Sequence, residues 1–228
     1  MGHLTQSNGA GRAPGRAPRS RLVLPLALLL AGCGAGGPEG EASGELLQFV
    51  LKSVAAEDGV VFNDRGLATN GVLPLVGDLD ANQRGLEARQ FYSFDVTSLP
   101  EDVTVTSATL RLDLFVTSGT PFSTLGNVVV DYLDYGALDA DDYNLRALVA
   151  GLGPLTSSPS LQPYTLDVSS SLAQVLALDR TRLQFRLRFS FADGDFDFSN
   201  DYASFPEAEA ALSGNGQEPS LIVVLRRR

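Results

Sequence analysis

The sequence predicts an all-β fold, a sandwich of two antiparallel sheets with one short helix. Three observations carry that prediction. Two long stretches repeat apolar residues at every second position, as half-buried strands do. Leu110, Leu112, Leu114 and Val116 alternate with Arg111, Asp113 and Phe115, and Leu183, Phe185, Leu187, Phe189 and Phe191 alternate with Arg182, Gln184, Arg186, Arg188 and Ser190. Several shorter runs of the same kind are separated by the turn segments Ser98-Leu99-Pro100, Ser118-Gly119-Thr120-Pro121 and Asp193-Gly194. Only Leu172, Val175 and Leu176 show helical spacing, behind Ser169, Ser170 and Ser171, one of which is placed to cap the helix. Many strands at short spacing with a single helix define a sandwich.

Taken in chain order, the strands begin with a weak run from Leu47 to Val54 and continue at Phe91 to Val96, where Phe94 and Val96 share a face. Leu99 packs beneath the following turn, and Pro100 ends the strand because it lacks a backbone donor. Val103 to Thr106 forms the next run, followed by the long alternating strand from Leu110, with the small Ala108 where two sheets pass closely. Val128 to Leu133, Tyr164 to Val168, the strand from Leu183 to Phe191 and the closing Leu221 to Leu225 complete the set.

The residues before the first strand have a different character. Arg12, Arg16, Arg19 and Arg21 precede an apolar stretch from Leu22 to Leu30, and Leu30-Ala31-Gly32-Cys33 closes it. That order resembles a bacterial lipoprotein signal, in which the cysteine is acylated with fatty acids such as palmitate and the chain is cut just before it. A membrane-spanning helix needs roughly 20 apolar residues. This stretch is about half as long, and Pro25 interrupts it. The expected organisation is a signal over residues 1–32, a lipidated flexible tether over 33–44, rich in glycine and acid, and one sandwich domain over 45–228. The expected location is the bacterial envelope, with acylated Cys33 in the lipid bilayer of the cell membrane or outer membrane.

Charge narrows the partners. The full chain of 228 residues carries a formal net charge of −10. Removal of residues 1–32 takes four arginines and the only histidine, His3, and leaves 13 basic residues against 27 acidic ones, a net charge of −14. Such a surface repels nucleic acid and anionic lipid headgroups. The single cysteine sits at the anchor, so no disulfide staples the domain and its stability rests on a core.

One block is more specific than its periodicity. Gln90-Phe91-Tyr92-Ser93-Phe94-Asp95-Val96-Thr97-Ser98-Leu99-Pro100, then Val103 to Leu112 containing Ser107-Ala108-Thr109-Leu110, resembles the diagnostic segment of the DNRLRE domain family. Tyr164-Thr165-Leu166-Asp167-Val168 before the helix, the Leu183 to Phe191 strand and the closing Pro219-Ser220-Leu221-Ile222-Val223 are also similar to that family. The resemblance implies a jelly-roll sandwich of secreted and surface proteins, some of whose related modules bind acidic polysaccharides. The hexapeptide that names the family is absent, its nearest counterpart being Asp142-Tyr143-Asn144-Leu145-Arg146-Ala147.

The residue inventory argues against catalysis. Without histidine or a thiol beyond the anchor, Ser-His-Asp and Cys-His nucleophiles and the usual zinc ligands are ruled out. Paired carboxylates such as Asp131 and Asp134, or Asp139, Asp141 and Asp142, remain, but acidic loops of this kind are more often solvated turns. The expectation is a non-catalytic binding or structural module. For polysaccharide, the candidates are the row Arg182, Arg186 and Arg188, facing uronic acids, and the rings of Tyr132 and Tyr135 near Tyr143. The alternatives are pairing of the arginines with carboxylates such as Asp113 or Asp95 across strands, and edge-packed structural tyrosines; both are the commoner arrangements. For calcium, Asp193, Asp195, Asp197, Asn200 and Asp201 offer oxygen ligands around a bend at Asp193-Gly194. The alternative there is a plain hairpin turning at Asp193-Gly194, with Phe191 and the pair Phe196 and Phe198 in opposite phase.

Overall fold

The computed structural model describes residues 44–64, 66–68, 74–81, 85–208 and 218–228. The signal segment, Cys33 and the tether through residue 43 lie outside the described residues. Thirteen strands run in chain order: β1 (Leu46–Lys52), β2 (Gly59–Phe62), β3 (Gly66–Ala68), β4 (Val76–Asp78), β5 (Glu87–Asp95), β6 (Val103–Asp113), β7 (Val116–Ser118), β8 (Val128–Leu133), β9 (Pro154–Thr156), β10 (Pro163–Asp167), β11 (Arg182–Phe189), β12 (Tyr202–Ser204) and β13 (Ser220–Arg227). A single helical turn, α1 (Pro121–Thr124), a 3-10 turn (Ala140–Asn144) and the helix α2 (Ser169–Ala177) interrupt them. Among the described residues no helix is long and apolar enough to cross a membrane.

The strands form a four-stranded sheet in the order β1-β13-β6-β10 and a nine-stranded sheet built on β7-β12-β4-β5-β11-β8-β9, with β2 and β3 attached through β5. Every strand pair is antiparallel. Eight strands form the framework. Numbered by themselves in chain order (β1, β5, β6, β8, β9, β10, β11, β13), they give sheet orders 1-8-3-6 and 2-7-4-5. That is the order of a jelly roll, two Greek keys closed face to face. Strands β2, β3, β4, β7 and β12 are additions to the second sheet, and β4, β7 and β12 build the region where the acidic residues meet.

The core follows the sequence alternation. Tyr92 and Phe94 from β5, Leu110 and Leu112 from β6, Leu183, Phe185 and Leu187 from β11, and Leu221 and Val223 from β13 are buried in one cluster between the sheets. Ala108 is fully buried there, as its small side chain suggests. Phe185 sits at 6.2 Å from Phe94 and 6.4 Å from Tyr132, measured between ring centroids. Such aromatic contacts add to the burial of area itself.

Two readings of the sequence are refined by the fold. Val103 to Thr106 and the run from Leu110 are one strand, β6, and not two. A register shift between Val224 and Leu225 of β13 skips Thr106, so Val105 pairs with Leu225 while Ser107 pairs with Val224. One extra residue reverses the face of everything after it, which explains why apolar positions change from odd to even along a continuous strand. The serine cap is also corrected. The residue at the start of α2 is Val168, which has no side-chain oxygen, and no side chain caps the helix there. Ser169 instead takes the Ala108 N–H on its Oγ at 2.8 Å, joining helix to sheet. Asp167 accepts from both Ser169 N and Oγ, just as Asp95 accepts from Thr97 N and Oγ1. The two Asp-Val-(Thr/Ser) segments thus end β5 and β10 by the same side-chain turn.

Candidate functional site

Strand β11 presents Leu183, Phe185, Leu187 and Phe189 to the core, so Arg182, Gln184, Arg186 and Arg188 fall on the opposite face of the large sheet. The sequence places that row in solvent. The structure covers it. Residues between β8 and β9, including the 3-10 turn, fold back over this face, and Phe91, Leu133 and Tyr143 form a second small core there with Val61.

Arg186 is consequently only 5% exposed and Asp131 is 0% exposed. The two lie directly opposite each other on β11 and β8. Arg186 Nη2 reaches Asp131 Oδ2 at 2.8 Å, and Arg188 Nε reaches the same oxygen at 2.9 Å. The remaining donor Nη1 of Arg186 goes to the carbonyls of Tyr143 at 3.1 Å and Leu145 at 2.9 Å. The backbone of residues 143–145 therefore serves as an acceptor shelf for a buried guanidinium. Burial works to raise the Asp131 carboxyl, but the hydrogen bonds from Arg188 and Arg186 outweigh it and hold the group below the usual carboxylate range. Arg182 binds Glu57 at 2.9 Å and Asp95 at 3.1 Å. The pairing with Asp95 is the one the sequence offered as an alternative; Asp113 pairs with Arg111 instead, at 3.1 Å.

All three guanidiniums expected to face uronic acids are paired with carboxylates within the fold; Arg186 is buried under the loop, while Arg182 and Arg188 stay partly exposed, at 31% and 25%. The rings expected to form a platform are also engaged within the fold. Tyr132 is 0% exposed in the main core. Tyr135 stands edge-on to Phe91 at 5.6 Å, and its hydroxyl donates to the Glu57 carbonyl at 3.1 Å. Tyr143 is buried beneath Arg89, whose guanidinium carbon lies 4.1 Å from the ring centroid. The paired carboxylates are similarly engaged: Asp131 is in the ion pair, and Asp139 and Asp142 form a reciprocal cap on the 3-10 turn.

A buried acid near this covered face has a pH consequence. Asp58 is 2% exposed and accepts from Ser93 N at 3.1 Å and Ala208 N at 3.5 Å. Burial pushes its carboxyl up to about 7, against those hydrogen bonds and with the nearby Glu57 charge adding to the rise. The folded protein then holds this proton more tightly than the unfolded chain does. The contribution is fully present below about pH 4 and declines as pH rises to 7. Urea unfolding from pH 4 to pH 8 is expected to lose about 4 kcal/mol through this group, a loss that Asp58→Asn removes. A wild type and variant with parallel pH profiles would contradict it.

The acidic loop after β11 is not a hairpin. Strand β11 ends at Phe189, and β12 pairs with β4 and β7 instead of returning along β11. Residues 190–201 therefore cross from the middle of the sheet to the β4 region. Asp193 turns inward to Arg89, with Arg89 Nη2 at 2.6 Å from Asp193 Oδ2, and Asn200 Oδ1 accepts from Ala81 N at 3.0 Å. These two members of the expected calcium set are thus held elsewhere. Asp195, Asp197 and Asp201 do converge, offering carboxylate oxygens within 4.8 Å of one another.

Two residues the sequence reading missed join them. Asp78 at the end of β4 and Asp80 just after it offer oxygens within 4.8 Å of Asp195 and of each other. They stand more than a hundred residues away in sequence, in a short strand without clear alternation, so no local spacing marked them. Close backbone approach makes the junction: Gly77 has φ of 118°, and a Cβ there would collide with the Asp201 carbonyl. Asp78 Oδ1 accepts from Asp201 N at 3.0 Å, and Thr120 N donates to Asp201 Oδ1. Burial first, then the charges of Asp80, Asp195 and Asp201, push Asp78 up to about 6 against the Asp201 hydrogen bond.

The same crossing segment carries the two most exposed large apolar side chains among the described residues, and a third that is half exposed. Phe191 is 80% exposed, Phe198 64% and Phe196 50%. Phe196 and Phe198 also occupy the left-handed backbone region, with φ of 61° and 70°. This conformation is uncommon for non-glycine residues and costs on the order of 1 kcal/mol or more each.

The fold and these sites define a class, an all-β antiparallel sandwich with an internalised arginine network on one face and an acidic, aromatic loop at the β4–β12 junction. No family model matches the chain, and no curated protein matches it.

Proposed function

We propose that this protein is a lipid-anchored surface protein of the bacterial envelope, tethered through Cys33, whose non-catalytic sandwich of the DNRLRE-like kind binds extracellular or envelope polysaccharide. The observation that carries the reading is the exposure of Phe191, Phe196 and Phe198 on the single segment 190–201. Sugar rings stack on aromatic faces, and backbone strain tends to persist at ligand-contacting loops. The arginines and tyrosines first expected to make these contacts are buried or paired within the fold, so the proposed contact surface moves to this loop. The basic-apolar-cysteine order of the leader and a net charge of −14 beyond it suit an exported, anchored domain that avoids nucleic acid.

The test is an array of neutral and uronic-acid polysaccharides probed with the full chain in detergent micelles. The expected result is saturable binding that falls at least about tenfold when Phe191→Ala and Phe198→Ala are combined, in line with loss of two ring contacts of about 0.5–1.5 kcal/mol each. No binding to any polysaccharide, or binding indifferent to both substitutions, overturns the reading.

A second reading, an envelope protein that works through protein contacts, is favoured by a different surface. On the outer face of the small sheet, Leu46 and Val50 are 56% and 55% exposed, and Val50 pairs with the half-buried Ile222. Partner capture abolished by Val50→Asp, with no glycan bound, would favour it.

A further inference from the structure

We propose that Asp78, Asp80 and Asp195 form a binding site for a divalent cation of the calcium class, flanked by Asp197 and Asp201. Three independent features support it. Carboxylate oxygens of Asp78, Asp80 and Asp195 all lie within 4.8 Å of one another. Two ligands each about 2.3–2.6 Å from one calcium ion are separated by at most about 5 Å, so the spacing suits a shared ion.

The second feature is unmet bonding capacity. Asp78 is 0% exposed and Asp80 1% exposed. One oxygen of each is occupied: Asp78 Oδ1 takes Asp201 N at 3.0 Å, and Asp80 Oδ1 takes Gly85 N at 2.5 Å. The other oxygen of each, Oδ2, is buried without a hydrogen-bond partner. Two orphaned carboxylate oxygens in one cluster are costly unless something positive sits between them.

The third feature is charge. Among the described residues none of these five aspartates is ion-paired with lysine or arginine, whereas the other buried aspartates of this sheet that carry ion pairs, Asp131 and Asp193, are matched to Arg186, Arg188 and Arg89. Among the described residues this group therefore has no lysine or arginine counter-charge, a role that an external cation would fill. An all-oxygen donor set selects a hard ion, and the absence of nitrogen and sulfur ligands disfavours zinc and copper. Calcium fits better than magnesium because three or more carboxylates from separate chain segments tolerate its longer, irregular bonds. The ion would fasten the 190–201 segment to β4. The site does not depend on the polysaccharide reading, although it would stiffen the loop on which that reading rests.

The experiment is calorimetric titration of the full chain in detergent, first stripped with EDTA, with calcium chloride and separately with magnesium chloride, together with thermal melts in EDTA and in calcium. The expected result is saturable calcium binding at about one ion per chain, a higher melting temperature in calcium, and weaker binding of magnesium. Asp195→Asn, at a partly exposed position that leaves the fold intact, is expected to weaken binding at least about tenfold. Asp78→Asn keeps the Oδ1 that accepts from Asp201 and is expected to abolish it. Absence of saturable binding at millimolar calcium, or binding unchanged by both variants, overturns the proposal. Calcium binding without glycan binding leaves this site standing and removes the polysaccharide reading; glycan binding that persists in EDTA, with no calcium bound, does the reverse.

Discussion

Replacing Asp131 by alanine is expected to cost about 3–5 kcal/mol of folding stability, because it leaves Arg186 charged and buried beneath the loop that follows β8. Arg188 loses the same partner but is 25% exposed and regains water, so most of the penalty belongs to Arg186. Equilibrium unfolding in urea measures it. A change below about 1 kcal/mol would mean that the arginine turns out to solvent and that the face is not closed. The double variant Asp131→Leu with Arg186→Met removes both charges, and is expected to recover much of the loss, since apolar replacement of a whole buried pair is often neutral. The pH dependence has a definite sign. With its folded value below the ordinary 3.8, the Asp131 contribution is complete above that value and is lost as pH falls through the lowered one. Once the stability difference at neutral pH is allowed for, the Asp131→Ala protein is therefore expected to lose less stability on acidification than the wild type.

Phe185→Ala is the second large effect, about 3–5 kcal/mol, through loss of transferred area and the cavity left behind. Its ring is 0% exposed and touches both Phe94 from β5 and Tyr132 from β8, so it fastens three neighbouring strands of the large sheet against the small one. Phe185→Leu fills part of the same space and is expected to cost less than half as much. Equal losses for alanine and leucine would indicate that ring geometry, not volume, sets the contribution. Since Phe185 precedes Arg186 on β11, the two predictions probe opposite faces of one strand, and additivity between Phe185→Ala and Asp131→Ala would show those faces to be energetically separate.

The sequence by itself marked β1, β5, β6, β8, β10, β11 and β13, while the short strands β2, β3, β4, β9 and β12 escaped it. Two-residue alternation identified β11, and the same signal with Pro100 placed β5, because side-chain period and backbone donors are local properties of the chain. The jelly-roll order was expected only through the family resemblance carried by the block from Gln90 to Leu112. Where local reading failed, long-range placement was responsible. Periodicity says that Arg186 points away from Leu187, but whether that side meets water depends on a loop some 45 residues earlier folding over it. Alternation cannot reveal a one-residue bulge until the partner strand fixes the register, as at Thr106 opposite the Val224–Leu225 step. Asp78 and Asp80 join Asp195 only because β12 pairs with β4, not β11, which sends residues 190–201 across the sheet edge. Local chemistry thus set the long strands and their core faces; tertiary contact decided which charges are solvent-facing, which are buried in pairs, and which acids are brought together.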